Sequence, residues 1–325
     1  MITNNSNIPM ALAIWLLHDE YDYINEPKYI SVTKLMKPLK ALVLSARVDR
    51  KEVQEDLEDY ISRALGHSLH DSIEKAWKMS YKSSLKKLGY ADHIIDRVMI
   101  NPTPEELKAA KNPIPVYLEQ RAFRKFRGYT IGGKFDMVAE GIVHDNKSTT
   151  AYSWVFGNND ENYQLQGSLY RWIDAAQPLP VITADFMRIN FIFTDWQKAQ
   201  ARSSSDYPQK RLAKKEYPLL DLRDTEKWVA NKIDAIEKYW DKPESEIPEC
   251  SDEELWRSKP QYKYYADATK TSGRSTKNFD SLPEANHHWK VTKGGAGIVK
   301  IIPGEVKRCA YCDAAPVCEQ RLRYL

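Results

Sequence analysis

Apolar and polar residues alternate with different periods along this chain, and the change of period divides it. Between Lys51 and Leu88, Leu57, Ile61, Leu65, Leu69, Ile73 and Trp77 recur at steps of four. That spacing predicts a long amphipathic helix, with a break near Gly66 and a stop at Gly89. Ser31 to Arg47 carries Leu35, Leu39, Leu42 and Val43 at helical spacing, with Ser31 or Thr33 as cap. Ile8 to Leu17 predicts a short apolar helix after a polar start. From Pro115 the period shortens. Val116 to Phe126, Tyr129 to Val138 and Ile142 to Ser148 read as strands, turned at Arg127-Gly128 and at Glu140-Gly141. Tyr163 to Ala176 reads as a helix, Val181 to Thr194 as a strand, 198–216 as an exposed basic loop, and Leu222 to Trp240 as a charged helix. Beyond Lys242 the chain is rich in Pro, Gly and Lys and shows little period until a cluster of cysteines.

The order helix, three strands, helix, strand predicts an α/β core with additions and no internal repeat. Three regions are expected: a helical region over 1–112, the core over 113–240, and a cysteine-stapled region over 241–325. With 325 residues, 42% hydrophobic and 29% charged, the chain has enough apolar material for a real core. No apolar run is long enough to span a bilayer. Ile8 to Leu17 lacks a basic flank and a small-residue cleavage site, so it is not read as a signal peptide, and a cytoplasmic protein is expected. A net charge of +3 decides little about partners. Local basic clusters (Lys75 to Lys87, Arg121 to Arg127, Lys198 to Lys215) permit nucleic-acid binding and equally suit a solvated face.

Chemistry concentrates in Asp136, Asp145 and Lys147. If Glu140-Gly141 is a two-residue turn, Ala139 pairs with Ile142, Val138 with Val143, and Asp136 falls opposite Asp145. Asp145 and Lys147 then share a face, because side chains alternate along a strand. Two carboxylates that close repel unless a cation lies between them, and a hard divalent ion such as Mg²⁺ or Mn²⁺ suits such oxygen ligands. The same three residues on a surface hairpin make an ordinary ion pair. Upstream, Gly66-His67-Ser68-Leu69-His70 puts two histidines on the long helix. Downstream, Gln166 and Tyr170 lie one helical turn apart on one face.

Asp136 followed by Asp145-x-Lys147 resembles the core signature of the PD-(D/E)XK nucleases. Gly66-x3-His70 and Gln166-x3-Tyr170 are similar to the flanking motifs of the RecB-like group. The resemblance implies a restriction-endonuclease-like core, a mixed sheet flanked by helices, and a Mg²⁺- or Mn²⁺-dependent deoxyribonuclease. It assigns His70, Asp136 and Asp145 to the metal, and places Lys147, Gln166 and Tyr170 at the catalytic site. Glu119 is a further acidic candidate. Exonuclease action on single strands or DNA ends, in recombination or repair and with phage-type relatives, is implied as well. With no Gly-x4-Gly-Lys phosphate loop in the chain, any unwinding falls to a helicase partner.

Cys309-x2-Cys312-x5-Cys318 resembles the C-terminal cysteines of iron–sulfur RecB-like enzymes, the AddB type and the CRISPR-associated exonucleases. The resemblance implies a 4Fe-4S cluster. A structural zinc ion is the alternative. Relatives place the first cysteine before the core; here Cys250 is the available fourth thiolate, and His287 or His288 could replace it around zinc. The rival functional reading is a non-catalytic DNA-binding or scaffold protein with a structural zinc site.

Overall fold

Seven strands line up in one mixed sheet: β1 (Tyr29–Ser31), β2 (Val98–Ile100), β3 (Ile114–Phe126), β4 (Tyr129–Ala139), β5 (Ile142–Thr149), β6 (Phe186–Phe193) and β7 (Leu212–Pro218). The structure is a computed structural model that describes residues 2–49, 51 and 53–324. From β2 to β7 the spatial order follows the chain, while β1 pairs in parallel with β4. The β3–β4, β4–β5 and β6–β7 pairs are antiparallel, and β2–β3 and β5–β6 are parallel. Helices α2 (Val32–Leu35), α4 (Ile61–Lys87), α5 (Asp160–Asp174) and α6 (Leu222–Tyr239) flank this sheet, α1 (Met10–Leu17) packs on α4, and α3 (Leu39–Ser45) belongs elsewhere. No helix among the described residues is long and apolar enough to cross a membrane.

The turns explain the meander. Arg127 and Gly128 have φ of 47° and 77°, and Glu140 and Gly141 have 53° and 77°. Positive φ at both central residues defines the tight hairpin turn whose twist matches that of the strands. At Gly141 a side chain would also collide with Thr183, so the turn needs glycine there twice over. The core lies where α5 meets the sheet. Leu169, Trp172 and Ile173 of α5 are fully buried, as are Val143, Met187, Ile189 and Phe193. Each such side chain contributes about 1.5–3 kcal/mol of hydrophobic burial. On α4, Trp77, Tyr81 and Leu85 pack against Val98, Val116 and Leu118.

The chain divides into two compact units, residues 1–36 with 51–234, and residues 37–50 with 235–325. Within the second, β8 (Gln261–Tyr265), β9 (Lys277–Phe279) and β10 (Ile298–Ile302) form an antiparallel sheet in the order β9-β8-β10, followed in chain order after β9 by the helix α7 (Leu282–His287). Helix α3 packs Val43 and Leu44 against Ile247 and Ala314.

Several expectations need correction. The helix expected over Ser31 to Arg47 is two helices, because Pro38 adopts an extended ψ of 143° and forces Lys37 out of the helical region. The helix expected from Lys51 starts at Ile61, after a short strand and a 3₁₀ turn capped by Asp56, and it runs through Gly66 unbroken. An isolated glycine costs about 1 kcal/mol in a helix, which 27 residues with tertiary packing tolerate. The basic stretch 198–216 is a short helix followed by the edge strand β7. Its charged residues are those an edge strand uses against unwanted pairing.

Candidate metal centre

The hairpin turn sets the register of the pairs that lead up to the two carboxylates. Ala139 pairs with Ile142, Val138 with Val143 and Met137 with His144. There the ladder stops. β4 next pairs on that edge with β1, at Thr130 to Gly132, while β5 continues beside β6. Asp136 and Asp145 therefore sit one step past the last pair, where the strands part. The backbone N–H of Asn146 turns to Asp136 and donates to its Oδ2 at 3.1 Å.

Helix α4 delivers the histidine. His70, Trp77 and Tyr81 stand seven and four residues apart, on one face, so the stripe that packs on the sheet also aims His70 at it. His70 Nδ1 lies 3.0 Å from Asp136 Oδ2. This hydrogen bond holds the imidazole above its usual pKa, against the burial that would lower it.

Glu119 completes the group. It lies in β3, between the pairs Leu118–Met137 and Gln120–Phe135, and it has φ of 51°. A non-glycine residue in the left-handed region inside a strand is strained by about 1–3 kcal/mol and persists only where its surroundings hold it. Lys134 holds it, with Nζ 2.5 Å from Glu119 Oε2. Burial raises the Glu119 carboxyl, with Lys134 pulling the other way. Ligand atoms of His70, Glu119 and Asp136 all lie within 4.8 Å of one another, the one such set of three or more among the described residues.

Asp145 is 3% exposed and stands beside this set rather than in it. Lys147 Nζ lies 2.7 Å from its Oδ2 and supplies that buried oxygen with its counter-charge. Gln166 Nε2 reaches Asp145 Oδ1 at 3.4 Å and donates to the Tyr170 hydroxyl at 3.0 Å. Tyr170 sits so close to β4 that a side chain on Gly133 would meet its ring at 2.9 Å. Burial raises the Asp145 carboxyl above its usual value, and Asp136 adds to this against the opposing pull of Lys147. Burial would lower Lys147, but Asp145 and Asp136 outweigh it and keep the ammonium charged. A strained acidic residue in a convergent His–Glu–Asp set is what a hard cation would satisfy.

All four cysteines, Cys250, Cys309, Cys312 and Cys318, line one small pocket of the second unit. Gln320, 3% exposed, clamps Cys250 there. Its amide accepts from the Cys250 N–H at 2.9 Å and donates to the Cys250 carbonyl at 3.0 Å. Lys40 of α3 pairs with Glu244 at 3.1 Å, and Glu244 accepts the backbone N–H of Glu319 and Gln320. Burial, with Glu254 and the neighbouring thiols, pushes Cys250 up to about 12. His287 and His288 line a different pocket, with Lys277 and Phe279.

No protein-family model and no curated protein matches the chain. A solved chain described as "Crystal structure of SSO0001" is 16% identical, with a TM-score of 0.42, over 69% of this chain and 86% of that one.

Proposed function

We propose that this protein is a divalent-cation-dependent DNA nuclease with a PD-(D/E)XK core of the RecB-like kind. The observation that carries the reading is the His70–Glu119–Asp136 set beside the buried Asp145–Lys147 ion pair. His70, Glu119, Asp136 and Asp145 would hold Mg²⁺ or Mn²⁺. Bound there, such an ion polarises a phosphodiester oxygen and lowers the pKa of a water. Lys147, charged and tethered to Asp145, supplies a fixed positive group for the negative charge that grows on the phosphoryl oxygens. Gln166 and Tyr170 act as positioning residues, locking Asp145 from the helix side. Glu119 joins the ligands that the motif resemblance assigned to His70, Asp136 and Asp145. Cleavage at single strands or ends, alone or beside a helicase, follows from the motif resemblance.

The cysteine pocket gathers four thiols, the donor set that a 4Fe-4S cluster takes, and the motif resemblance favours that cluster over a structural zinc ion. The cluster would staple α3 and the last cysteines together.

End-labelled single-stranded and duplex DNA, incubated with Mg²⁺, Mn²⁺ or EDTA, tests the enzymatic reading. Cleavage by the wild type with metal, and its loss in Asp145→Ala and Lys147→Ala, is the expected result. Equal cleavage by all three proteins, or none with any metal, would end it.

A further inference from the structure

The loop after α1 presents two aromatic rings that the chemistry above does not use. Tyr21 is 43% exposed and Tyr23 60%. They are nonetheless anchored. The Tyr21 N–H donates to Asp19 Oδ1 at 3.0 Å, and the Tyr23 hydroxyl donates to Asp19 Oδ2 at 2.8 Å. The Arg121 guanidinium donates to the Asp22 carbonyl at 2.8 Å. The two rings meet edge to face at 4.8 Å.

What surrounds Tyr21 gives it a direction. The His67 ring lies nearly parallel to it, 18° off at 6.4 Å. Arg121 and Lys134 place their charges 5.8 and 5.7 Å from its centroid. Lys134 is the side chain paired with Glu119, and Glu119 belongs to the three-ligand set. Two contacts thus connect the exposed ring to the metal centre. A pre-held aromatic ring among cations matches the chemistry of an unpaired nucleotide, whose base stacks and whose phosphate carries the negative charge.

We propose that Tyr21, with His67, Arg121 and Lys134, forms a subsite that stacks one unpaired nucleobase beside the phosphate to be cut. The proposal rests on the nuclease reading and gives it a substrate class, single strands and frayed ends. Stacking on a ring tolerates any base, so the subsite carries no sequence preference. Within a duplex the base is already stacked, and reaching Tyr21 requires it to leave the helix.

The test compares wild type, Tyr21→Phe and Tyr21→Ala. Affinity is read by fluorescence anisotropy with Ca²⁺ in place of Mg²⁺, on a labelled single strand, a blunt duplex, and strands carrying one abasic site at successive positions. Cleavage is read in parallel with Mg²⁺ and Mn²⁺. Tyr21→Phe should match the wild type. Tyr21→Ala should lose roughly fivefold to a hundredfold in single-strand affinity, the range one base–aromatic stack covers, and less on the duplex. At one position an abasic site should weaken the wild type by the same factor and leave Tyr21→Ala unchanged. Tyr21→Ala binding the single strand as the wild type does overturns the subsite. So does a loss in Tyr21→Ala that persists undiminished on every abasic strand, since a displaced loop then explains it. A wild type that cleaves while Tyr21→Ala behaves identically sinks the subsite alone. A wild type that cleaves nothing with any metal removes the nuclease reading, and the subsite with it.

Discussion

Replacing Lys147 with methionine removes the charge 2.7 Å from Asp145 Oδ2 while keeping most of the side-chain stem. Asp145 is then a buried carboxylate beside Asp136 with its principal counter-charge gone. Breaking a buried ion pair from one side costs about 3–5 kcal/mol. Lys147 is 31% exposed, so water already takes part of its charge, and about 2–4 kcal/mol is the expected loss. For a unit of this size that corresponds to a fall in Tm of roughly 4–16 °C. The loss should depend on pH. Without lysine the Asp145 carboxyl is raised further above its unfolded value, so the variant is least impaired at low pH, where both states hold the proton. Its deficit grows as pH rises through the raised value. A divalent ion restores a positive charge, so saturating Mn²⁺ should return most of the lost stability without returning cleavage. Thermal melts at pH 5 and pH 8, with and without Mn²⁺, make the comparison. A deficit equal under all four conditions would refute the reasoning, because packing loss rather than an unpaired charge would then explain it.

Two further outcomes are expected. Burial, with Arg188 and Lys214 nearby, pushes His144 down to about 4. The fold keeps it neutral while the unfolded chain takes up a proton near its ordinary 6.5, so this contribution is full above pH 6.5 and drains away between 6.5 and 4. His144→Gln should flatten that part of the stability–pH curve in urea melts; an unchanged slope counts against the assignment. Cys250→Ser should lose bound iron and sulfide in chemical analysis, whereas His287→Ala and His288→Ala should retain both. Stoichiometric zinc in the wild type, purified without oxygen, would overturn the iron–sulfur reading.

Local geometry was more legible than the long-range architecture. Glu140-Gly141 set the hairpin register by local turn geometry, and the pairs through Met137–His144 follow from it. His70 and the Gln166–Tyr170 pair were readable because helical spacing is local. Glu119 was visible only as an acidic residue on a strand; its left-handed φ depends on contacts with Lys134 that no local pattern encodes. Tyr21 carried no signal at all, since its role depends on Arg121 and Lys134, a hundred positions or more away. The parallel addition of β1 to β4, the edge strand β7 and the sheet β8–β10 are long-range or weakly apolar pairings. The lysine-rich, largely exposed β7 looks like a loop when read alone. Cys250 is distant in sequence from the other three cysteines, and its hydrogen bonds to Gln320 hold it in the pocket they line.

The proposed function requires one divalent ion at His70, Glu119, Asp136 and Asp145 for DNA hydrolysis. Mn²⁺ titration followed by electron paramagnetic resonance, with cleavage measured on the same samples of wild type and Asp136→Asn, addresses it most directly. The wild type should show a tight Mn²⁺ site whose filling tracks cleavage, and Asp136→Asn should lose both. A variant that binds Mn²⁺ as tightly as the wild type and cuts DNA at the same rate would contradict it.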